Sequence, residues 1–371
     1  MAQDELNVQA IAAAIEQEGL TWAAAENELT SLPVEERRKY LGLVVTDQEL
    51  EQLAAATQQV AAEEERRFAA ERFAAPAAID WRNIGGANYV TSVKNQGNCG
   101  SCVSFCTCAV IESAVRIKLQ NPSYNIDLSE AFMQFCGGGS CGGWGLTSGL
   151  GFAQSTGTTD EACMPYQPTN MNCTASRCSD WQNRLTKIQS YTGHATIAAR
   201  KDTIANLGPV LAGMEVWSDF FAYSSGVYVK SAAATRLSPP GYHCVCVVGY
   251  DDTQQCWIIK NSWGSGWGDG GFVRIRYNQP DILLDTSWQF YSVVPLIQAA
   301  WHGGVTVGQT YSSHHSQNAW AYFQGLGWRK IQTGAPDGVT NMLALFAEAE
   351  ANGKQVTIYA DGEFVFQAYL L

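Results

Sequence analysis

The stretch Gln96-Gly97-Asn98-Cys99-Gly100-Ser101-Cys102 constrains this chain more than any other. It is a glycine-bearing loop that ends on a cysteine. An apolar run from Val103 to Leu119 follows and reads as a helix. A thiol at a helix N-terminus faces unpaired backbone N–H groups and the positive end of the aligned peptide dipoles. Both favour the thiolate, the form of sulfur that acts as a nucleophile. Taken alone, Cys102 reads first as a buried core thiol or half of a disulfide.

Two later segments change that reading. Gly241-Tyr242-His243-Cys244-Val245-Cys246-Val247-Val248-Gly249-Tyr250 is a strand-like run carrying an imidazole. Trp257-Ile258-Ile259-Lys260-Asn261-Ser262-Trp263-Gly264 leads from a strand into a loop carrying a carboxamide and an indole. With Cys-Gly-Ser-Cys at 99–102, these segments resemble the nucleophile, histidine and asparagine motifs of the papain and cathepsin cysteine peptidases. His243 follows Cys102 by 141 residues, inside the separation of roughly 130–150 that the family shows.

The resemblance implies an α+β, papain-like two-lobed fold, with a helical lobe, a β-rich lobe and a cleft between them. It implies a peptidase without cofactor that acts on protein or peptide substrates. Cys102 would attack a peptide carbonyl as thiolate, and His243 would hold it in an ion pair and carry the proton. Asn261 would orient the imidazole. Gln96, six residues before Cys102, would donate to the oxyanion together with the Cys102 backbone N–H. Trp263 would shield the His–Asn bond, and Gly142, Gly143, Trp144, Gly213, Tyr242 and Trp263 would meet substrate. Read singly, His243 and Trp263 could be core residues, Asn261 a turn residue and Gln96 a surface amide.

By the same resemblance Cys99 pairs with Cys141. Cys136 pairs with a cysteine near 173, where Cys163, Cys173 and Cys178 leave the choice open. Cys106, Cys108, Cys244, Cys246 and Cys256 have no counterpart; Cys246 and Cys256 fall on neighbouring strands and could pair. Three departures concern substrate fit. Val103 replaces the usual tryptophan, Cys244 replaces a small alanine, and Gly142-Gly143 lies one residue closer to its cysteine. Gly213, four residues after Pro209, suggests a roomy specificity pocket with Tyr242 at its edge.

With 371 residues, 46% of them hydrophobic and 16% charged, the chain can bury a sizeable core and hold several domains. The expected division is 1–75, a helical propeptide; 76–296, the catalytic domain beginning near Ile79-Asp80-Trp81-Arg82; and 297–371, a small module. The net charge of −12 belongs mainly to residues 1–75, with 15 acidic and 6 basic side chains. That reads as a solvated helical surface, and no nucleic-acid footprint is seen. No run of 18 apolar residues suggests a membrane span. Met1 to Asp4 shows no secretory signal, whereas twelve cysteines suit an oxidising compartment. The expectation is a secreted or periplasmic protein whose signal has been removed.

In residues 1–75, Leu6, Ala10, Ile11, Ala14 and Ile15 repeat at helical spacing up to Gly19. Thr46-Asp47-Gln48-Glu49 has the form of a capping box opening a long helix towards Phe73. Pro76 stops that helix, and Ala74 to Ala78 reads as a linker. By position the segment would act as an intramolecular inhibitor lying over the cleft. Glycines make Cys136 to Trp144 a flexible loop. His314-His315 lacks further ligands at metal spacing, so no metal is expected. Residues 297–371 read as an α+β, OB-like module: strands at Ala319–Phe323 and Trp328–Ile331, a helix ending near Asn352, and a hairpin about Asp361-Gly362. Trp301, Trp320 and Trp328 there could form a glycan- or protein-binding face, with core packing the favoured alternative. The competing reading of the whole chain is a silent papain-fold scaffold whose C-terminal module recruits a partner or glycan.

Overall fold

The structure is a computed structural model. It describes residues 6–70, 75–297, 300–313, 318–332, 336–361 and 364–371. The chain folds as two compact units, Met1–Ser113 with Ile126–Val294, and Ala114–Asn125 with Pro295–Leu371. Residues 6–70 therefore pack within the first unit and form none of their own.

In the first unit, helix α1 (Val8–Gln17) buries Ile11 and Ile15, and the Asn7 side chain caps it by accepting from Ala10 N at 2.9 Å. Helix α2 (Asp47–Ala70) starts at the capping box. Glu49 N donates to Thr46 Oγ1 at 3.2 Å, and Thr46 N donates to the Glu49 carboxylate at 2.8 Å. The end of the expected linker is ordered: Ala78 already lies in strand β1 (Ala78–Asp80), which pairs with the central strand of the sheet. The start of that linker at Ala74 lies outside the described residues. Helix α3 (Cys102–Lys118) is buried through most of its length, and helix α4 (Ile197–Leu207) is capped by Thr196.

Seven further strands complete the sheet: β2 (Lys187–His194), β3 (Val210–Trp217), β4 (Val227–Tyr228), β5 (Arg236–Asp251), β6 (Cys256–Lys260), β7 (Phe272–Arg276) and β8 (Phe290–Leu296). Their order is β2-β8-β3-β5-β6-β7-β4, with β1 on β5. Strand β5 carries both flanking partners over long registers, so His243 sits on the most enclosed strand of the sheet. Of the two alternatives for Cys246 and Cys256, a bridge or buried thiols, the second holds: both are free and buried. In the ladder Cys256 lies opposite Asp251, five residues along β5 from Cys246, or about 17 Å at strand rise.

Three disulfides close the helical side: Cys99–Cys141, Cys136–Cys173 and Cys163–Cys178. Two of them staple the Cys136–Trp144 loop, and Gln134 Nε2 donates to Ser140 O at 2.8 Å inside it. The expected flexibility is thus removed by cross-links, each worth roughly 2–4 kcal/mol.

The second unit contains a closed barrel of β9 (Ala300–Ser312), β10 (Ala319–Phe323), β11 (Gly327–Ile331), β12 (Gln355–Ala360) and β13 (Phe364–Leu370). Its order is β9-β10-β11-β13-β12, with β11 and β13 parallel and helix α5 (Pro336–Asn352) between β11 and β12. This is an OB-type topology. The long strand β9 bends to pair with β12 through its first half and β10 through its second, and Gly304 at φ +65° sits at the register shift. The barrel core holds Val305, Val307, Phe323, Phe346, Val356 and Ile358 among others. Gly362 of the expected hairpin turn, His314-His315 and the Trp301 side chain lie outside the described residues.

Candidate active site

Cys102 is the first residue of α3 and is fully buried. Its Sγ accepts the Cys244 N–H at 3.4 Å, with the backbone N–H groups of Gly42 and Val103 also directed at it. His243, on β5, is fully buried too, and its Nε2 lies 2.8 Å from Asn261 Oδ1. Asn261 Oδ1 also accepts from Ser262 N at 2.8 Å, which fixes the amide oxygen towards the ring. The Trp263 indole covers the imidazole with centroids 4.9 Å apart, and is itself stacked on Phe221 at 5.3 Å. Among the described residues His243 Nδ1 has no hydrogen-bond partner.

Gln96 is buried rather than at the surface. Ser262 Oγ donates to its Oε1 at 2.6 Å, so its Nε2 faces away and donates to Tyr40 O at 3.1 Å and Cys99 O at 2.9 Å. Trp263 Nε1 donates to the same Tyr40 carbonyl at 3.3 Å, a second donor that sequence reading did not single out. A main-chain carbonyl of residues 6–70 thus occupies the spot where the Gln96 donor points.

Residues 40–45 continue along this groove. Trp144 N donates to Gly42 O at 2.8 Å, Val44 N donates to Trp144 O at 2.9 Å, and Leu43 N donates to Tyr242 O at 3.2 Å. Leu43 and Trp144 form a parallel bridge. At Gly42 a Cβ would fall 2.0 Å from Gly100 O, so only glycine lets this strap pass the nucleophile loop. Gly143 lies against Gly42 and Val44, whereas exposed Gly142 turns back and donates to Ser140 Oγ at 3.1 Å. Of the expected Gly142-Gly143-Trp144 set, Trp144 provides the paired backbone.

At Gly213, where a roomy pocket is expected, the surroundings are a tryptophan and a strap side chain. A Cβ at Gly213 would fall 2.8 Å from the Trp288 indole and 2.9 Å from Leu43 Cδ2. The space freed by glycine is filled by Trp288, which sequence reading missed and which packs on Tyr242 at 6.3 Å. Leu43 inserts beside it. Next to this contact lies a cavity of about 380 Å³, lined by Leu43, Leu53, Leu146, Trp288 and Tyr291 among others.

Burial decides the protonation of the central pair. The Cys102 thiol is pushed up to about 12 by burial and then by the adjoining Cys244, against the three N–H groups. His243 is pushed down to about 4 by burial, against its bond to Asn261. With the strap in place both groups are neutral near pH 7, so the thiolate–imidazolium form expected from sequence is disfavoured in this state.

A thiol at a helix start, an imidazole–carboxamide pair on a sheet and a second carboxamide donor are the equipment of a thiol-dependent hydrolase. A family model described as papain family cysteine protease matches residues 75–288, more than half of the chain, and the chain belongs to that family. Cysteine proteinase 1 of Entamoeba histolytica is 33% identical over 214 residues, covering 54% of this chain and 64% of its own length. Ananain of Ananas comosus is 34% identical over 208 residues, 54% of this chain and 55% of its own. The matches thus span less than two thirds of these relatives. Among solved structures, the digestive procathepsin L2 proteinase from Tenebrio molitor larval midgut superposes with a TM-score of 0.58 at 25% identity, covering 77% of this chain and 88% of that one. The proCathepsin B S9 from Trypanosoma congolense, at 19% identity and a TM-score of 0.58, covers 78% and 99% and shares the fold. No helix among the described residues is long and apolar enough to cross a membrane.

Proposed function

We propose that this chain is a secreted or periplasmic cysteine endopeptidase, made as a zymogen that its own residues 1–75 keep silent. The catalytic domain would run over 76–296 and the C-terminal module over 297–371. The observation that carries the reading is the strap: Tyr40 O sits on the Gln96 and Trp263 donors, and the Gly42 N–H faces Cys102 Sγ. The strap thus covers the donors and the sulfur together.

Release of the strap hydrates the cleft. The Cys102 thiol then falls from about 12 and His243 rises from about 4, because burial is the largest cause of both shifts. The thiolate attacks a peptide carbonyl carbon, and the oxyanion takes the place of Tyr40 O on Gln96 Nε2, with the Cys102 N–H as its second donor. Loss of one such donor lowers rate by about two to three orders of magnitude. His243 delivers its Nδ1 proton to the leaving amine, then takes one from the water that hydrolyses the thioester. Asn261 holds the ring, and Trp263 keeps water from their bond. Trp144 would pair with substrate backbone while Gly143, Gly213, Tyr242 and Trp288 bound its side chain.

Mass spectrometry of the full chain at mildly acid pH tests this. Cleavage between Phe73 and Ala78, together with peptide hydrolysis, should appear and should be lost in Cys102→Ala. Equal cleavage by that variant, or none in either protein, overturns the reading and favours the silent scaffold.

A second reading concerns the barrel. Trp320 and Trp328 are absent from its core, contrary to the favoured expectation; they are half-buried on the outer face of β10 and β11. The register sets Tyr311, Trp320 and Lys330 in one row and Tyr322 beside Trp328, their rings 5.7 Å apart. Arg329 turns inward and donates to Asp361 O, which leaves Lys330 as the cation of this face among the described residues. Flat rings with few cations suit neutral sugar rings better than a polyanion. Quenching of tryptophan fluorescence by N-acetylchitohexaose or cellohexaose, lost in Trp328→Ala of an otherwise intact chain, would support it. No quenching by either sugar would end it.

A further inference from the structure

Six cysteines are free among the described residues, and all are buried. Four of them gather at one place. Cys106 lies one helical turn beyond Cys102 on α3, and Cys244 and Cys246 lie on β5. Cys106, Cys244 and Cys246 line one small cavity together with Asn261 and Ser262. Cys244 is adjacent to His243 in the chain, its N–H reaches Cys102 Sγ at 3.4 Å, and its thiol contacts that of Cys106. Nothing in the peptide chemistry above uses a second thiol.

We propose that Cys244 is a resolving thiol for Cys102, so that oxidation of the open enzyme by a hydroperoxide is trapped as a reducible Cys102–Cys244 disulfide. This rests on the reading of Cys102 as the nucleophile. The Cys102 thiolate attacks the terminal peroxide oxygen and the O–O bond breaks, giving the sulfenic acid and hydroxide from hydrogen peroxide, or alkoxide from an organic hydroperoxide. The Cys244 thiol then attacks that sulfur; the S–S bond forms, the S–O bond breaks, and the thiol proton leaves with the oxygen as water. Two electrons pass from the two sulfurs to the peroxide. A dithiol reductant restores both thiols. Without such a neighbour, a sulfenic acid in an open cleft proceeds to sulfinic acid, which is not reversed by thiols.

Geometry selects Cys244 from the cluster. Side chains at i and i+4 of a helix have Cβ atoms about 5–6 Å apart, beyond the roughly 3.5–4.5 Å of a disulfide, which disfavours Cys106. Cys246 is two residues further along β5, about 7 Å at strand rise. Cys244, on β5 beside the start of α3, has its main chain already at the Cys102 sulfur and its own thiol close enough to act on it electrostatically.

The test uses the processed, active enzyme, dilute hydrogen peroxide and then catalase, with activity read before and after dithiothreitol. Wild type should lose activity and regain it about ten-fold on reduction, and peptide mapping should link Cys102 to Cys244. Cys244→Ala and Cys244→Ser retain the backbone N–H; they should lose activity as fast, regain almost none and carry two or three oxygens on Cys102. A wild type that recovers no better than the variants, or whose Cys102 links to Cys106, overturns the proposal. Untreated activity that survives in Cys102→Ala would instead overturn the reading beneath it, while the linkage map still decides the disulfide.

Discussion

Residues 6–70 hold the rest of the first unit in two unlike ways. The strap Tyr40–Val45 binds through main-chain groups: the carbonyls of Tyr40 and Gly42 and the N–H groups of Leu43 and Val44. Helix α2 binds through side chains, with Thr57 Oγ1 donating to Ser287 O at 3.2 Å and the Glu64 carboxylate accepting three bonds. Glu64 Oε2 accepts from Ala195 N at 3.1 Å, Thr196 N at 2.8 Å and Thr196 Oγ1 at 2.9 Å, at the start of α4. Among residues 47–67 of that helix only Thr57 and Glu64 are buried, and both are side chains that bond across. The hydrogen bonds of the strap therefore do not depend on a side chain, whereas those of the helix do.

The largest expected effect breaks the strap at its glycine. Gly42→Val places a Cβ 2.0 Å from a main-chain oxygen that cannot swing away. Overpacking of this kind costs about 1–3 kcal/mol or more. The unprocessed variant should label Cys102 with a thiol-reactive peptide epoxide up to about a hundred-fold faster than the parent. Labelling at the parent rate would mean that the strap does not guard the thiol.

Glu64→Ala comes next. It leaves the N–H groups of Ala195 and Thr196 without their acceptor at a buried helix start, a loss of about 1–3 kcal/mol. Processing should accelerate about ten-fold, while epoxide labelling in the first moments stays near the parent rate because the strap still holds. Equal acceleration of both would show that strap and helix leave together.

Acid tests the two regions at once, since each covers a histidine. His194 is pushed down to about 4 by burial and then by Arg67 and Arg200, although the Glu64 carboxylate 3.8 Å from its Nδ1 pulls the other way. His243 is pushed down to about 4 by burial. Both are neutral when covered. In the cleft the proton that His243 gains on release is the one that Cys102 loses, so their ion pair forms with no net uptake. His194 returns towards about 6.5 when uncovered, and its release takes up a proton, so binding of residues 6–70 is full above pH 6.5 and weakens as pH falls towards 4, by at most about one decade per pH unit. His194→Gln should flatten most of the slope of processing rate against pH. An unchanged slope would assign it to the cleft instead.

Local chemistry made part of this legible. The nucleophile loop, the histidine strand and the asparagine loop each carry their residue types in a few consecutive positions, and Thr46 and Glu49 announce their helix by a spacing of three. The strap does not show, because main-chain pairing leaves no side-chain pattern. Trp288 escaped notice because only the tertiary contact with Gly213 gives it a role. Strand β9 carries Gly303, Gly304 and Gly308, which weaken a strand pattern, and its bend belongs to the barrel.

The smallest effect probes the joint between the two regions. Thr46 follows the strap directly and caps α2, its hydroxyl and N–H shared with Glu49. Thr46 N and Oγ1 hold the Glu49 carboxyl below its usual range, so the cap persists through mild acid and does not add to the acid slope. Thr46→Ala should speed processing by no more than about five-fold, the effect of one lost cap, and should leave epoxide labelling of Cys102 alone. The cap orders the first turn of the helix, whereas the strap is fixed by partners at Gln96, Trp144 and Tyr242 that the substitution does not touch. Faster labelling in Thr46→Ala would mean that the helix tensions the strap through this residue, and the two regions would have to be treated as one.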